Sequence, residues 1–224
     1  METVSASTWY RQLGRRFRVL WPLKAVGTMG FLALFFWAYF AVLRHPLTEP
    51  MLMPLIGLDT LIPFSPSAYP FYVSLWVYVS LPPAFLGSWR SLWQFGAWIA
   101  ALCLFCLIIF WLFPTTIPAA DIDWSLYPDL AVIKGLDAGG NAFPSLHVAS
   151  AVFAAYWLDR LLQQVGAPAL LRWLSALQCL LILWSTVATR QHVVLDVLAG
   201  VLVGGVFAVV SYVRVRRAAG VEVL

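Results

Sequence analysis

A succession of apolar runs constrains this chain more than any other feature. Each is near the ~20 residues that a bilayer core demands of a spanning helix. The runs cover about 25–43, 71–88, 92–113, 144–162, 169–188 and 192–213. Only 11% of the residues are charged and 62% are apolar, whereas soluble domains carry roughly 25% charged residues. The expected fold is therefore all-α: a polytopic integral membrane protein built as a six-helix bundle.

Three regions follow from this pattern: a basic amphipathic segment over 1–24, a six-span domain over 25–213 and a tail over 214–224. Trp9, Leu13, Phe17 and Leu20 recur at helical spacing, with Arg11, Arg15 and Arg18 off that stripe. Residues 8–22 thus read as an interfacial helix on an anionic leaflet. Six prolines make 44–70 a loop, and Pro82-Pro83 should kink the end of the second span. Arg90 marks a short turn. The long loop 114–142 carries Asp121, Asp123, Asp129 and Asp137. Cys103, Cys106 and Cys179 fall inside apolar runs and are expected to pack as small hydrophobes.

An even number of spans puts both termini on one side. Arg11, Arg15, Arg16, Arg18, Lys24, Arg90, Arg160, Arg172, Arg214, Arg216 and Arg217 fall on that side, against only Arg44, Lys134 and Arg190 opposite. Cytoplasmic loops carry the excess of Lys and Arg, so both termini are expected in the cytoplasm. The net charge of +4 then speaks to orientation, and no nucleic-acid partner is expected. The expected partners are membrane lipids and a lipid phosphate substrate.

Two histidines open apolar runs on the extracytoplasmic side of this topology. In Asn141-Ala142-Phe143-Pro144-Ser145-Leu146-His147, Pro144 suits the first turn of a helix, which puts His147 about one turn inside span four. His192 opens span six, and Asp196 follows four residues later, on the same face of a helix. Neutral imidazole is a good nucleophile toward phosphorus when its second nitrogen keeps its proton, and Asp196 can accept that proton's hydrogen bond. A carboxylate at this depth also needs a partner, since exposure at mid-membrane costs about 2.5–3.5 kcal/mol. His147 is the natural general acid for a departing alkoxide. Arg190, Ser145 and Lys134 are candidate phosphate-binding groups. Thr115 and Thr116 are weaker candidates, and Asp59 and Tyr72 are expected to be structural. No metal or cofactor is expected.

PSLH at 144–147 and RQHVVLD at 190–196 resemble the second and third motifs of the phosphatidic acid phosphatase type 2 superfamily. The IPFSP and FPTTIP segments are similar to its branch containing inositol phosphorylceramide synthases, so the resemblance covers roughly 59–205. It implies a six-helix membrane bundle working without a metal. By position it implies a phospho-enzyme at His192, an orienting role for Asp196 and leaving-group protonation by His147. Where the superfamily has an arginine six residues before the third-motif histidine, this chain has Thr186. Ala119 follows FPTTIP where another arginine is expected, and the first motif is not clearly present.

The implied activity is hydrolysis of a lipid phosphate at the extracytoplasmic face of a bacterial cytoplasmic membrane. A transferase passing the phospho-headgroup to an alcohol shares the same first half-reaction. Two other classes are a bis-histidine haem protein, which leaves Asp196 and Arg190 without a role, and a non-catalytic lipid binder.

Overall fold

A computed structural model describes residues 8–136 and 140–219. Asp137 lies outside the described residues. The described chain is mostly helical, with ten α-helices: α1 (Trp9–Arg18), α2 (Trp21–Arg44), α3 (Gly57–Leu61), α4 (Tyr69–Val73), α5 (Leu75–Phe85), α6 (Trp89–Leu112), α7 (Pro128–Leu136), α8 (Leu146–Gln164), α9 (Ala169–Ala188) and α10 (Val194–Ala219).

Among the described residues, four helices are long and apolar enough to cross a membrane: α2, α6, α9 and the part of α10 up to Arg214. Large apolar side chains on them, including Trp37, Leu104, Leu180 and Leu202, stay exposed, as lipid-facing positions should. The two other expected spans take different forms. The second is divided between α4 and α5, which meet at Ser74, and α5 ends at Phe85 with Pro82 and Pro83 inside it. The fourth is α8, a continuous 19-residue helix. Arg90 belongs to α6 rather than to a turn, because Ser88 caps that helix by accepting the Ser91 N–H at 3.2 Å. The N-terminal helix stops at Arg18, where Val19 turns extended and Leu20 takes a left-handed φ of 56°.

Helix α8 is the axis of the bundle. Two core clusters meet on it: Phe153, Trp157 and Leu161 pack with α6, and Ala151, Ala154 and Leu158 pack with α5 and α9. Between helices in lipid there is little hydrophobic gain, so close packing and interhelical hydrogen bonds must hold them. The α8–α10 pair uses both. Gly200 and Gly204 of α10, a G-x-x-x-G pair, lie directly against Ser145, Val148 and Ala149 at the start of α8. Further along, Trp157 Nε1 donates to Ser211 Oγ at 2.9 Å, a kind of bond worth about 0.6 kcal/mol on average. Both contacts place the helices parallel, so their N-terminal ends lie side by side.

At that end the connecting segments are stitched by a small parallel sheet absent from the sequence reading. Its strands are β1 (Met51–Leu52) and β2 (Thr115–Thr116), and Thr115 also bridges to Asn141. The FPTTIP segment is thus a hub: Thr115 Oγ1 accepts the Phe143 N–H at 2.8 Å. Lys24, by contrast, serves the opposite end. Its ammonium donates to the carbonyls of Arg16 and Ala84, tying α1 and α5 to α2 where helix C-termini favour a cation.

Candidate active site

The two histidines are delivered by two helix starts, each built differently from the simple helical reading. Pro144 precedes helix α8 instead of occupying its first turn. Ser145 is the N-cap, its Oγ accepting the Val148 N–H at 3.2 Å. His147 is consequently the second helical residue, inside the first turn rather than one turn deep. A serine supplies the acceptor that the free N–H groups need, which a proline cannot.

His192 likewise lies before its helix, since α10 starts at Val194. It is therefore not on a helix face with Asp196. The pairing arises because Asp196 Oδ2 accepts the Val193 N–H at 3.0 Å, the backward-reaching half of a capping box. The same oxygen lies 3.4 Å from His192 Nδ1. Catalytic hydrogen bonds are often long before substrate binds. Asp196 is fully buried, and its Oδ1 has no hydrogen-bond partner. Ser145 N–H donates to the Asp196 carbonyl oxygen at 3.0 Å, so the two motifs are joined through backbone.

Upstream, the chain reaches His192 through a Schellman turn at the end of α9. The Gln191 N–H bonds to the Thr186 carbonyl and the Arg190 N–H to that of Val187, both at 3.0 Å. The Thr186 carbonyl also accepts the His192 N–H. Such a turn needs a left-handed residue, normally glycine. Here it is Arg190, at φ 56°. Lys134 Nζ donates to the Arg190 carbonyl at 3.0 Å.

Asp59 and Tyr72, expected to be structural, lie against the site in that capacity. Buried Asp59 accepts the Val194 N–H at 2.8 Å through Oδ1 and the Ile56 N–H at 2.8 Å through Oδ2. It thus caps α10 beside His192. The Tyr72 ring stacks on His147 with centroids 4.1 Å apart and planes at 18°. His147 Nε2 has no partner. A carboxylate and a tyrosine flanking IPFSP were the available signal, but nothing in their spacing relates them to residues about 75 or 135 positions away.

His147 and His192 line one cavity of about 540 Å³. Its walls are apolar and aromatic, with Phe35 and Tyr39 from α2, Trp76 from α5 and Ile99 from α6. A pocket of this size and character suits a small molecule or one end of a lipid. Among the described residues, Asn141 is the amide on its wall, and no charged side chain lines it. Arg190, Lys134 and Ser145 do not line it: the first two meet beside His192, and the Ser145 side chain is fully buried at its cap. Thr186 is also fully buried, its hydroxyl donating to the Leu183 carbonyl. Among the described residues, no three His, Cys, Asp or Glu side chains gather as metal ligands.

This arrangement brings an imidazole backed by a carboxylate and a second imidazole to the wall of one apolar cavity. A family model described as the PAP2 superfamily matches residues 66–210, well over half of the chain. No curated protein and no solved structure shows significant similarity to it.

Proposed function

The chain belongs to the PAP2 superfamily, whose members are generally phosphatases or phosphotransferases, and from that premise we propose that it is a membrane-embedded lipid phosphatase. Its substrate is a lipid phosphate monoester or diphosphate. In this reading α2, α4–α5, α6, α8, α9 and α10 are six spans, with both termini in the cytoplasm. The histidines then face the extracytoplasmic side of a bacterial cytoplasmic membrane. The observation that carries the proposal is the cavity itself: an apolar space lined by both His147 and a His192 that has Asp196 behind it.

The mechanism has two displacements. His192 Nε2 attacks phosphorus while Nδ1–H stays bonded to Asp196, which offsets the charge of the forming imidazolium. The P–O bond to the lipid breaks, and His147 gives its proton to the leaving oxygen. Water, deprotonated by the now neutral His147, then attacks the phosphohistidine. The P–N bond breaks, inorganic phosphate departs and His192 is restored. The lipid chain occupies the apolar cavity, and Arg190 and Lys134 draw the phosphate to its mouth. The backbone of Arg190 supports this part. A non-glycine residue in the left-handed region costs roughly 1 kcal/mol, and strain of this kind is retained where the side chain has work to do.

A transferase reading is favoured by the PSLH form of the second motif. There an alcohol replaces water in the second displacement. Purified protein in detergent should release phosphate from phosphatidic acid, phosphatidylglycerophosphate or a polyprenyl diphosphate, and His192→Ala should not. Release that survives His192→Ala refutes the proposal. A phospho-headgroup product formed only with added inositol or ceramide would select the transferase.

A further inference from the structure

The polar end of the cavity holds a buried amide that neither the helical core nor the histidine chemistry uses. Asn141 is 5% exposed, lines the cavity together with His147 and His192, and has no hydrogen-bond partner at Nδ2. A buried amide N–H₂ without a partner costs about 1–3 kcal/mol. Most such groups in folded proteins are satisfied, so an orphan facing a cavity calls for an explanation.

Its placement is deliberate in backbone terms. Thr115 exchanges backbone hydrogen bonds with Gly140, its carbonyl also accepts the Ala142 N–H at 3.2 Å, and its hydroxyl accepts the Phe143 N–H. Residues on both sides of Asn141 are therefore pinned to β2. The side chain itself contributes none of these bonds, so it is held at the cavity without being needed to hold the loop. A second buried nitrogen without a partner lies on the same wall: His147 Nε2, on a residue 9% exposed at the first turn of α8. An amide donor and an imidazole nitrogen able to carry a proton, both without partners beside a helix N-terminus, form a setting that favours an anion.

We propose that Asn141 Nδ2 and His147 Nε2 together form the oxyanion subsite that binds phosphoryl oxygens of the substrate. This rests on the reading of the cavity as a phosphoryl-transfer site. His147 acts there both as a donor and as the acid, whereas Asn141 only donates. A neutral amide holds a phosphoryl oxygen without needing a counter-charge of its own inside an apolar wall. It also costs no reorganisation as charge develops in the transition state.

The test uses orthovanadate, a mimic of the phosphoryl transition state, with the full chain purified in detergent. Affinity is read from the thermal stabilisation that vanadate confers, which needs no turnover. A hydrogen bond to a charged group is worth about 1.5–3 kcal/mol, so Asn141→Ala should weaken vanadate binding about 10- to 160-fold. Its unliganded Tm should not fall below that of the wild type, because the loop is pinned by backbone and an unpartnered buried amide is removed. Asn141→Asp, equal in shape but without the donor, should bind vanadate no better than Asn141→Ala at pH 8. Vanadate affinity within about twofold of wild type in Asn141→Ala, recovery of affinity by Asn141→Asp, or no vanadate binding by the wild type would each overturn the inference. Asn141-dependent vanadate binding by a protein that releases phosphate from no lipid would refute the phosphatase reading and leave the anion subsite standing.

Discussion

Replacing Gly200 by alanine should disable the site without touching either histidine. A Cβ built there lies 2.6 Å from the Ser145 carbonyl oxygen and 2.9 Å from Val148 Cβ. Ordinary contact starts at 3.4 Å, so α8 and α10 must separate by about 0.8 Å, against backbone that cannot swing aside. Ser145 is the N-cap of the helix bearing His147, and its N–H bonds to the Asp196 carbonyl. The displacement therefore falls between His147 and the His192–Asp196 pair. A misplacement of about 1 Å can cost ~10²-fold in rate, so kcat/KM should fall about 10- to 100-fold. Overpacking should also cost about 1–3 kcal/mol of stability. Helix propensity alone favours alanine over glycine by up to ~1 kcal/mol, so any loss reports packing. Gly205→Ala is the control, because nothing lies within 4 Å of its Cβ position. The assay is kcat/KM on an activated aryl phosphate in detergent, with Tm measured alongside. Gly200→Ala with wild-type kcat/KM would refute the idea that the G-x-x-x-G contact sets the distance between the two helix mouths.

The other variants separate roles. His147→Ala should cost lipid turnover at least about tenfold more than turnover of a nitrophenyl phosphate, whose leaving group needs little protonation; equal losses would remove the general-acid assignment. Arg190→Gly should keep or raise Tm, because glycine fits φ 56°, yet lower kcat/KM; unchanged kcat/KM would leave Arg190 as a turn residue only. A cysteine at Asp129 should react with an impermeant maleimide on intact cells, and one at Arg172 should not; the reverse pattern would invert the topology.

The spanning elements were legible because lipid imposes a length. The run 169–188 is α9 residue for residue, and 92–113 differs from α6 by its capped first turn and by Phe113, which is the C-cap. Helix α8 was legible in extent but differs in kind. Its small and polar residues are surrounded by protein, so it need not be strongly apolar. The partnership of His192 with Asp196 was also legible, though for the wrong local reason. Spacing of four suggests a helix face, whereas a helix beginning at Val194 brings the pair together through the Val193 amide. Helix ends turned on single residues. Ser145 displaced Pro144 as the start signal for α8, and Arg190 ended α9 in a conformation where glycine would have announced the stop. The contributions of Asp59, Tyr72 and Asn141 depend on contacts between residues far apart in sequence, which no local pattern encodes. The three-way pairing of 51–52, 115–116 and 141 is of the same kind, because strands of two residues leave no alternation to read.

The most direct test of the central claim is capture of the covalent intermediate. Protein mixed with a ³²P-labelled lipid phosphate and quenched in alkali within the first turnover should carry label that is stable to base and released by acid, as expected of an N–P bond. Peptide mapping should place it on His192, and His192→Ala should carry none. Turnover with label on another residue, or label that persists in His192→Ala, would contradict the account.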